Sequence, residues 1–450
     1  MIRGDGMEDS RALAGTMQDS AWARQITVLL LYVGQGIPIG LFDFAIPAWL
    51  AVEGASAPDI AFVVFMTGLP WSLKFIAGFI MDRYTYFPMG RRRAWIIGAQ
   101  ALIVASLLVF AALDPSPQEI LMLGIVALVV NTAVVFQDVA ADGLLVDILP
   151  EHERAIGGGF SSGGHTLGVA ISGALSGALV IGYGTAAAYT ASALLVAVIT
   201  TYIVTTRERP GEKRLPWSDG ISHQANLQHG PPQWLPIMKE AFASIFRPLA
   251  LSWLLVLLGR GFTYGTLLIA LPLIAANETG WLGNELTTLN GTAQLVAGIS
   301  SMAIGGLLVA RIGTQRAMIA FQCLLIVGLS ASVFYEQRWV DPAFVTGMVF
   351  GWIILYAFHG ICGIVFNMRL SPPRVAATQF SIFMAVQNQG TALAGILVGA
   401  IAALAEPRAM LIMLVGVQLA MTLILLVVKM PKRQVLGTDS NAPDAMPSPA

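Results

Sequence analysis

Twelve predominantly apolar stretches dominate the chain, at roughly 26–50, 57–80, 94–113, 118–146, 155–181, 185–206, 248–275, 285–309, 314–335, 342–370, 376–403 and 408–430. At 1.5 Å rise per residue each is long enough as a helix to cross about 30 Å of hydrocarbon. Single glycines and prolines interrupt several of them, as buried membrane helices permit. The pattern predicts an all-α integral membrane protein with twelve transmembrane helices. In the tail 1–25 the first 20 residues are polar and lack an apolar core, so the first apolar run reads as a span rather than a cleaved signal. Residues 207–233 are rich in Pro, Gly and charge and read as a flexible linker. The linker divides the spans into two six-helix halves, 26–206 and 248–430. Behind it Trp234, Leu235, Met238, Phe242, Ile245 and Phe246 fall near one helical face, with Lys239 and Glu240 off it. This predicts a short helix on the membrane surface, closing the linker segment 207–247. The tail 431–450 is polar and reads as disordered beyond Lys432.

Composition agrees with a bilayer as solvent. Of 450 residues 56% are apolar and only 11% are Asp, Glu, Lys or Arg, where soluble domains carry about 25% charged residues. Mean hydropathy is +0.73. A net charge of −1 supplies no field that would recruit nucleic acid. Cys323 and Cys362 both lie in apolar runs, which indicates neither a disulfide framework nor a metal site. No cofactor is implied. Placing both termini in the cytoplasm leaves Lys74 and Arg260 inside the bilayer and Arg338 and Arg408 outside. The other 21 of the 25 basic residues then lie on the inner side, as the positive-inside rule requires.

The halves repeat one another. Gly78-Phe-Ile-Met-Asp-Arg83 after the second span is echoed by Gly306-Leu-Leu-Val-Ala-Arg311 after the eighth. Likewise, Arg154-Ala-Ile-Gly-Gly-Gly-Phe-Ser161 is echoed by Arg374-Val-Ala-Ala-Thr-Gln-Phe-Ser381. Such pseudo-symmetry is a mark of secondary transporters. No Gly-x-x-x-x-Gly-Lys-Ser/Thr occurs, so the chain has no phosphate loop for ATP. The run Gly157–Gly164 lacks a Lys and opens a span, where small residues let helices pack closely.

Gly78, Asp82 and Arg83, followed by Gly90, Arg91 and Arg92, make a Gly-x-x-x-Asp-Arg loop with trailing arginines that resembles the loop signature of major facilitator transporters. Further motifs are Leu69-Pro-Trp-Ser-Leu-Lys-Phe75, Gln137-Asp-Val-Ala-Ala-Asp142, Leu149-Pro-Glu-His-Glu-Arg154 and Ala377-Thr-Gln-Phe380. Together they resemble the branch holding AmpG-type muropeptide permeases and acetyl-coenzyme A transporters. Siderophore permeases share much of the pattern. The resemblance implies two pseudo-symmetric halves of a major facilitator fold, a multi-pass inner-membrane location, and import of a solute with protons. It also implies that Asp138 and Asp142 are the acidic pair of the fourth span. One departure stands out: Ala310 replaces the aspartate in the second-half loop, so a charge relay there is one-sided.

Charges inside hydrocarbon are costly and mark function. Lys74 lies nine residues before Arg83 and Asp138 nine before Asp147, both about 13 Å deep; Asp142 shares a helix face with Asp138. These three residues suggest either a static ion pair at an inner gate or the seat of a coupling proton. Arg260 falls about 20 Å into the seventh span and His359 about 15 Å into the tenth. Tyr264 is one turn from Arg260, while Trp352, Tyr356 and His359 share a face. A guanidinium among aromatics suits a carboxylate or phosphate carried on a ring-bearing solute. The partner of Arg260 is either Asp43 across the cavity or the substrate's own anion. Gln35, Asp43, His165, Gln387, Asn388 and Gln389 are further candidates for lining the cavity or bonding helices. The expected function is proton-coupled transport of an anionic small molecule by a monomer, with a muropeptide favoured and a siderophore or acyl-coenzyme A as runner-up. A non-transporting membrane assembly factor of the same fold is the rival.

Overall fold

A computed structural model describes residues 16–227, 233–281, 283–400 and 406–434. Among the described residues, eleven helices are long and apolar enough to span a membrane. The first half holds α1 Ala21–Leu50, α2 Pro58–Arg83, α3 Arg93–Leu113, α4 Ile120–Ile148, α5 Glu151–Tyr183 and α6 Thr185–Thr205. The second holds α7 Pro248–Leu271, α8 Thr288–Ile312, α9 Thr314–Phe334, α10 Pro342–Leu370 and α12 Pro407–Val427. Between the last two lies α11 Ala376–Ala400, which completes the twelve. The spans are those that the apolar pattern predicts. The expected tails fall largely outside the described residues.

Prolines shape two spans where chemistry follows. Pro70 interrupts α2, and at Leu73 (φ −104°, ψ 8°) the helix breaks and restarts at Lys74. A proline lacks the N–H and crowds the preceding turn, so a kink is its expected effect. In α1, Pro38 precedes a π-helical turn, Leu41–Ala45, that carries Asp43. Such bulges re-aim side chains and gather at functional sites.

Glycines bring equivalent helix pairs of the two halves into backbone contact. A Cβ at Gly36 of α1 would lie 2.6 Å from His165 O of α5, and one at Gly261 of α7 would overlap Gln387 O of α11. The repeats seen in the sequence also meet across the halves. Gly78 of the first half abuts Thr378 of the second, and Gly306 of the second abuts Ala155 of the first. Gly159 and Gly163 of the glycine run rest on Ser301 O and Gly298 O of α8, which fits close packing rather than a phosphate loop.

Beyond these seams the halves are tied at the end of the bundle where the described chain begins and ends. Arg91 donates to the carbonyls of Pro373 and Arg374. Arg369 pairs with Glu151, and Arg154 donates to Gln434 (2.8 Å). Gln434 in turn donates to Ser371 O (2.8 Å), so residues just past α12 strap both halves together.

The expected flexible linker is corrected in part: its residues 207–227 are docked. The Glu208 carboxylate, fully buried, accepts from the backbone N–H groups of Arg91, Arg92 and Arg93 at 2.8–2.9 Å. It thus places an anion at the start of α3, where the helix dipole favours one. Gly90 makes this possible, because its φ is +96° and a Cβ would sit 2.5 Å from that carboxylate. Asn226 Nδ2 donates to Glu212 (2.7 Å), and Arg93 reaches the carbonyls of Lys213 and Arg214. Met17 and Gln18 donate to Arg207 O and Glu208 O. The polarity that reads as solvation is spent on buried hydrogen bonds. The helix Trp234–Ile245 forms as expected: Trp234, Leu235, Met238, Phe242 and Phe246 are exposed, while Ile237, Glu240, Ala241 and Ser244 face the protein.

Candidate functional site

The restart of α2 at Lys74 aims its side chain into the first half. Lys74 Nζ lies 2.6 Å from Asp138 Oδ2 and 3.5 Å from Asp142 Oδ2. All three residues are buried. Asp138 and Asp142 sit one turn apart on α4, so one ammonium spans both. The remaining oxygens look to α1. Gln35 Nε2 donates to Asp138 Oδ1 (2.6 Å), and Tyr32 Oη to Asp142 Oδ1 (2.5 Å). His165 is an electrostatic neighbour of Asp138 and Lys74. Gln35, expected near the substrate site, therefore belongs to the acid cluster. Tyr32 escaped the sequence reading, although it precedes Gln35 by three residues on the same helical face.

The second half builds a different site. Close approach of α7 and α11 at Gly261 sets Arg260 against α11, and its Nε donates to Gln387 Oε1 (3.1 Å). Nη1 bonds Tyr356 O (3.0 Å) and His359 Nδ1 (2.9 Å) on α10. The guanidinium also stacks over the Tyr356 ring, 3.8 Å from its centroid. Its Nη2 lies over Gly360, where a Cβ would come within 2.8 Å. Nη2 has no acceptor among the described residues, and Arg260 has no carboxylate partner there either. Asp43 does not pair with it. Asp43 is exposed and lies within electrostatic reach of Tyr264.

Tyr264 stacks on Tyr356 (5.3 Å, 27°), and Trp352 closes the cluster at 6.0 and 5.7 Å from the two tyrosines. His359 Nε2 and Trp352 Nε1 are buried and make no hydrogen bond among the described residues. Buried polar atoms are normally satisfied, so each exception calls for an explanation. The side chains of Asn388 and Gln389 form no hydrogen bond among the described residues.

The loop motif makes a third cluster, at the end where the halves meet. Asp82 accepts from Arg92 Nη2 and from the backbone N–H of Thr378 on α11, both at 2.8 Å. Asp147 at the end of α4 receives Arg91 (3.0 Å) and Arg92 (2.9 Å). Gly78, Asp82, Gly90, Arg91 and Arg92 thus converge on one interlocked network, while Arg83 turns away from it. Arg311, the counterpart of Arg83, is exposed and makes no ion pair among the described residues. Ala310 offers no carboxylate at the equivalent place in the second half.

Comparison with known proteins follows the same lines. Residues 28–395 match the family model of the Major Facilitator Superfamily. The anhydromuropeptide permease of Escherichia coli (strain K12) is 25% identical over 394 residues, covering 84% of this chain and 74% of the relative. A putative transporter AmpG 4 of Rickettsia felis is 23% identical over 326 residues, covering 69% of this chain and 72% of that one. Among solved structures the human organic anion transporter MFSD10 superposes with a TM-score of 0.66 at 14% identity, covering 90% of this chain and 100% of that one. A bacterial homologue of the iron transporter ferroportin, in an outward-facing state, gives 0.64 at 13%, with 89% and 98% covered. The glycine-zipped pairs, the interlocked loop and the family match agree: the chain belongs to the major facilitator superfamily and is a multi-pass membrane transporter, not an enzyme.

Proposed function

We propose that the protein is a proton-coupled importer of the inner membrane, working as a monomer with both termini in the cytoplasm, and that it carries an anionic muropeptide. The observation that carries this reading is the buried Arg260 guanidinium, which keeps Nη2 free and has no carboxylate partner among the described residues. A buried cation with no counter-ion is costly, and a substrate carboxylate is a fitting partner for a planar fork. Tyr264, Trp352 and Tyr356 offer ring faces of the kind that pack on sugars, while Trp352 Nε1 and His359 Nε2 offer polar atoms for its hydroxyls. The similarity to an anhydromuropeptide permease supports the substrate class. Asp43, within electrostatic reach of Tyr264, discourages an anion at its own end.

Lys74, Asp138 and Asp142 suit the coupling proton. One ammonium faces two carboxylates, so the cluster is negative when both are ionised and neutral with one proton bound. Tyr32 and Gln35 link it to α1.

The reading is tested with labelled anhydromuropeptide and purified protein in liposomes, with and without an imposed proton gradient. Uptake is expected to accumulate only with the gradient. Arg260→Ala is expected to abolish uptake with the protein still in the membrane, and Arg260→Lys to weaken binding while some transport survives. Normal binding by Arg260→Ala in detergent would overturn the anion site; accumulation without a gradient would overturn the coupling.

A further inference from the structure

A recess of about 440 Å³ opens away from the transport sites, between the end of α2 and the start of α3. It is lined by Arg83, Tyr84, Thr85, Tyr86, Phe87, Ala94 and Trp95. Its volume falls in the range of small-molecule sites. Arg83 is the one charge among its described lining residues, none of which is acidic. Unlike Asp82, Arg91 and Arg92 beside it, Arg83 has no ion-pair partner among the described residues. Its Nε is buried without a hydrogen bond among those residues, and its guanidinium stands 5.0 Å from the Tyr84 ring.

The walls are aromatic and held in place. Trp95 donates its indole N–H to Tyr84 O (2.6 Å) and leans on Phe136 of α4, 5.9 Å away. Tyr84 meets Trp234 of the surface helix edge-on at 5.8 Å. Leu235 on that helix and Phe246 just past its end are 77% and 68% exposed. Such a row of bare apolar side chains belongs in the interface of a bilayer. Arg83 is the last residue of α2 and Trp95 the third of α3, so the recess lies where apolar spans give way to water. Tyrosines and tryptophans settle at that depth.

We infer that this recess binds the phosphodiester headgroup of an anionic phospholipid, with Arg83 gripping the phosphate and the rings of Tyr86 and Trp95 flanking the glycerol. The charge and donors suit any phosphate. The position beside an apolar helix in the bilayer interface favours a lipid over a free anion. With no carboxylate in the lining to receive an ammonium, phosphatidylglycerol fits better than a zwitterionic lipid.

Titration of the purified full chain in detergent, read by native mass spectrometry, tests this. Phosphatidylglycerol is expected to add as one saturable molecule, at least about tenfold tighter than phosphatidylcholine. Arg83→Gln is expected to lose about tenfold or more of that affinity, the scale of a hydrogen-bonded charge contact, and Arg83→Lys less. Arg316→Gln, at an exposed arginine elsewhere, is expected to change nothing. A second reading does not depend on an Arg83 variant. Phosphatidylglycerol brominated near its glycerol is expected to quench Trp fluorescence, and the increment to fall in Trp95→Phe. Equal retention of the lipid by wild type and Arg83→Gln, or unchanged quenching in Trp95→Phe, would overturn the site. Displacement by inorganic phosphate at matched concentration would overturn the lipid as its occupant.

Discussion

Replacing Lys74 by Met removes the one cation that faces two buried carboxylates. At 2.6 and 3.5 Å, and an effective dielectric constant of about 20, the two attractions amount to about 6 and 5 kcal/mol. Most of this offsets the desolvation of three charges, so the intact cluster contributes little net stability. Its disruption is another matter. An unpaired buried carboxylate must take up a proton, which for an ordinary aspartate at pH 7 costs about 4 kcal/mol. Lys74→Met is therefore expected to destabilise the protein by about 3–5 kcal/mol, the usual cost of breaking a buried pair from one side. Asp138→Asn leaves Lys74 paired with Asp142 and should cost less. The double variant removes one charge of each sign and leaves Asp142 bonded to Tyr32, so it should be more stable than Lys74→Met alone. Lowering the pH from 7.5 to 5.5 makes each proton about 2.7 kcal/mol cheaper and should rescue Lys74→Met selectively. Denaturant unfolding in detergent, followed by Trp fluorescence at both pH values, measures these differences. If Lys74→Met lies within about 0.5 kcal/mol of wild type at pH 7.5, or the double variant is no better than the single, the reasoning fails.

Asp142→Asn and Asp138→Asn are expected to weaken gradient-driven accumulation more than downhill exchange; unchanged accumulation in both would take these acids out of the proton path. Gly360→Ala should push the Arg260 guanidinium off its seat and lower substrate affinity about tenfold or more with the fold retained, as read by binding in detergent. Gly261→Ala, whose Cβ would overlap Gln387 O, should force α7 from α11 and cost several kcal/mol in thermal unfolding; wild-type stability would refute the backbone contact. Burial, and then the charge of Glu208, pushes the Glu212 carboxyl up to about 7. The docked linker holds a proton there that the free chain, at about 4.3, releases. Docking should therefore loosen as the pH rises from about 4 to 7 and level off above, with hydrogen exchange over 208–227 reporting it. Glu212→Gln should remove that dependence.

Much of this architecture can be read from the sequence because a bilayer imposes few rules. Span length, the distribution of basic residues and the count from loop anchors put Lys74 and Asp138 at one depth, and the structure joins them. Arg260, His359 and Tyr356 also come together as their spacing suggests. Other features leave no such signal. Tyr32 looks like any apolar-belt tyrosine until α1 is packed on α4. Gln35 has the same helical address whether it serves the acid cluster or the substrate site, and only the rotation of α1 decides. The docking of the linker leaves no mark either, because composition cannot distinguish a charge in water from one buried on three backbone N–H groups, as Glu208 is. The kink at Leu73 was foreshadowed by Pro70, but its direction was not.

The two junctions that close this end of the molecule are made of different materials. Along α2 and α11, Asp82 meets the Thr378 N–H and Arg91 meets the carbonyls of Pro373 and Arg374. Along α5 and α8, glycine backbones lie bare against one another at Gly159, Gly163 and Gly306. Electrostatic attraction fades gradually with distance and yields to protons and salt. Dispersion between touching backbones vanishes within an ångström or so and is indifferent to both. One junction therefore behaves as a tunable clasp and the other as a snap fastener, so a change in charge reaches the clasp first while the snap sets how abruptly the halves part.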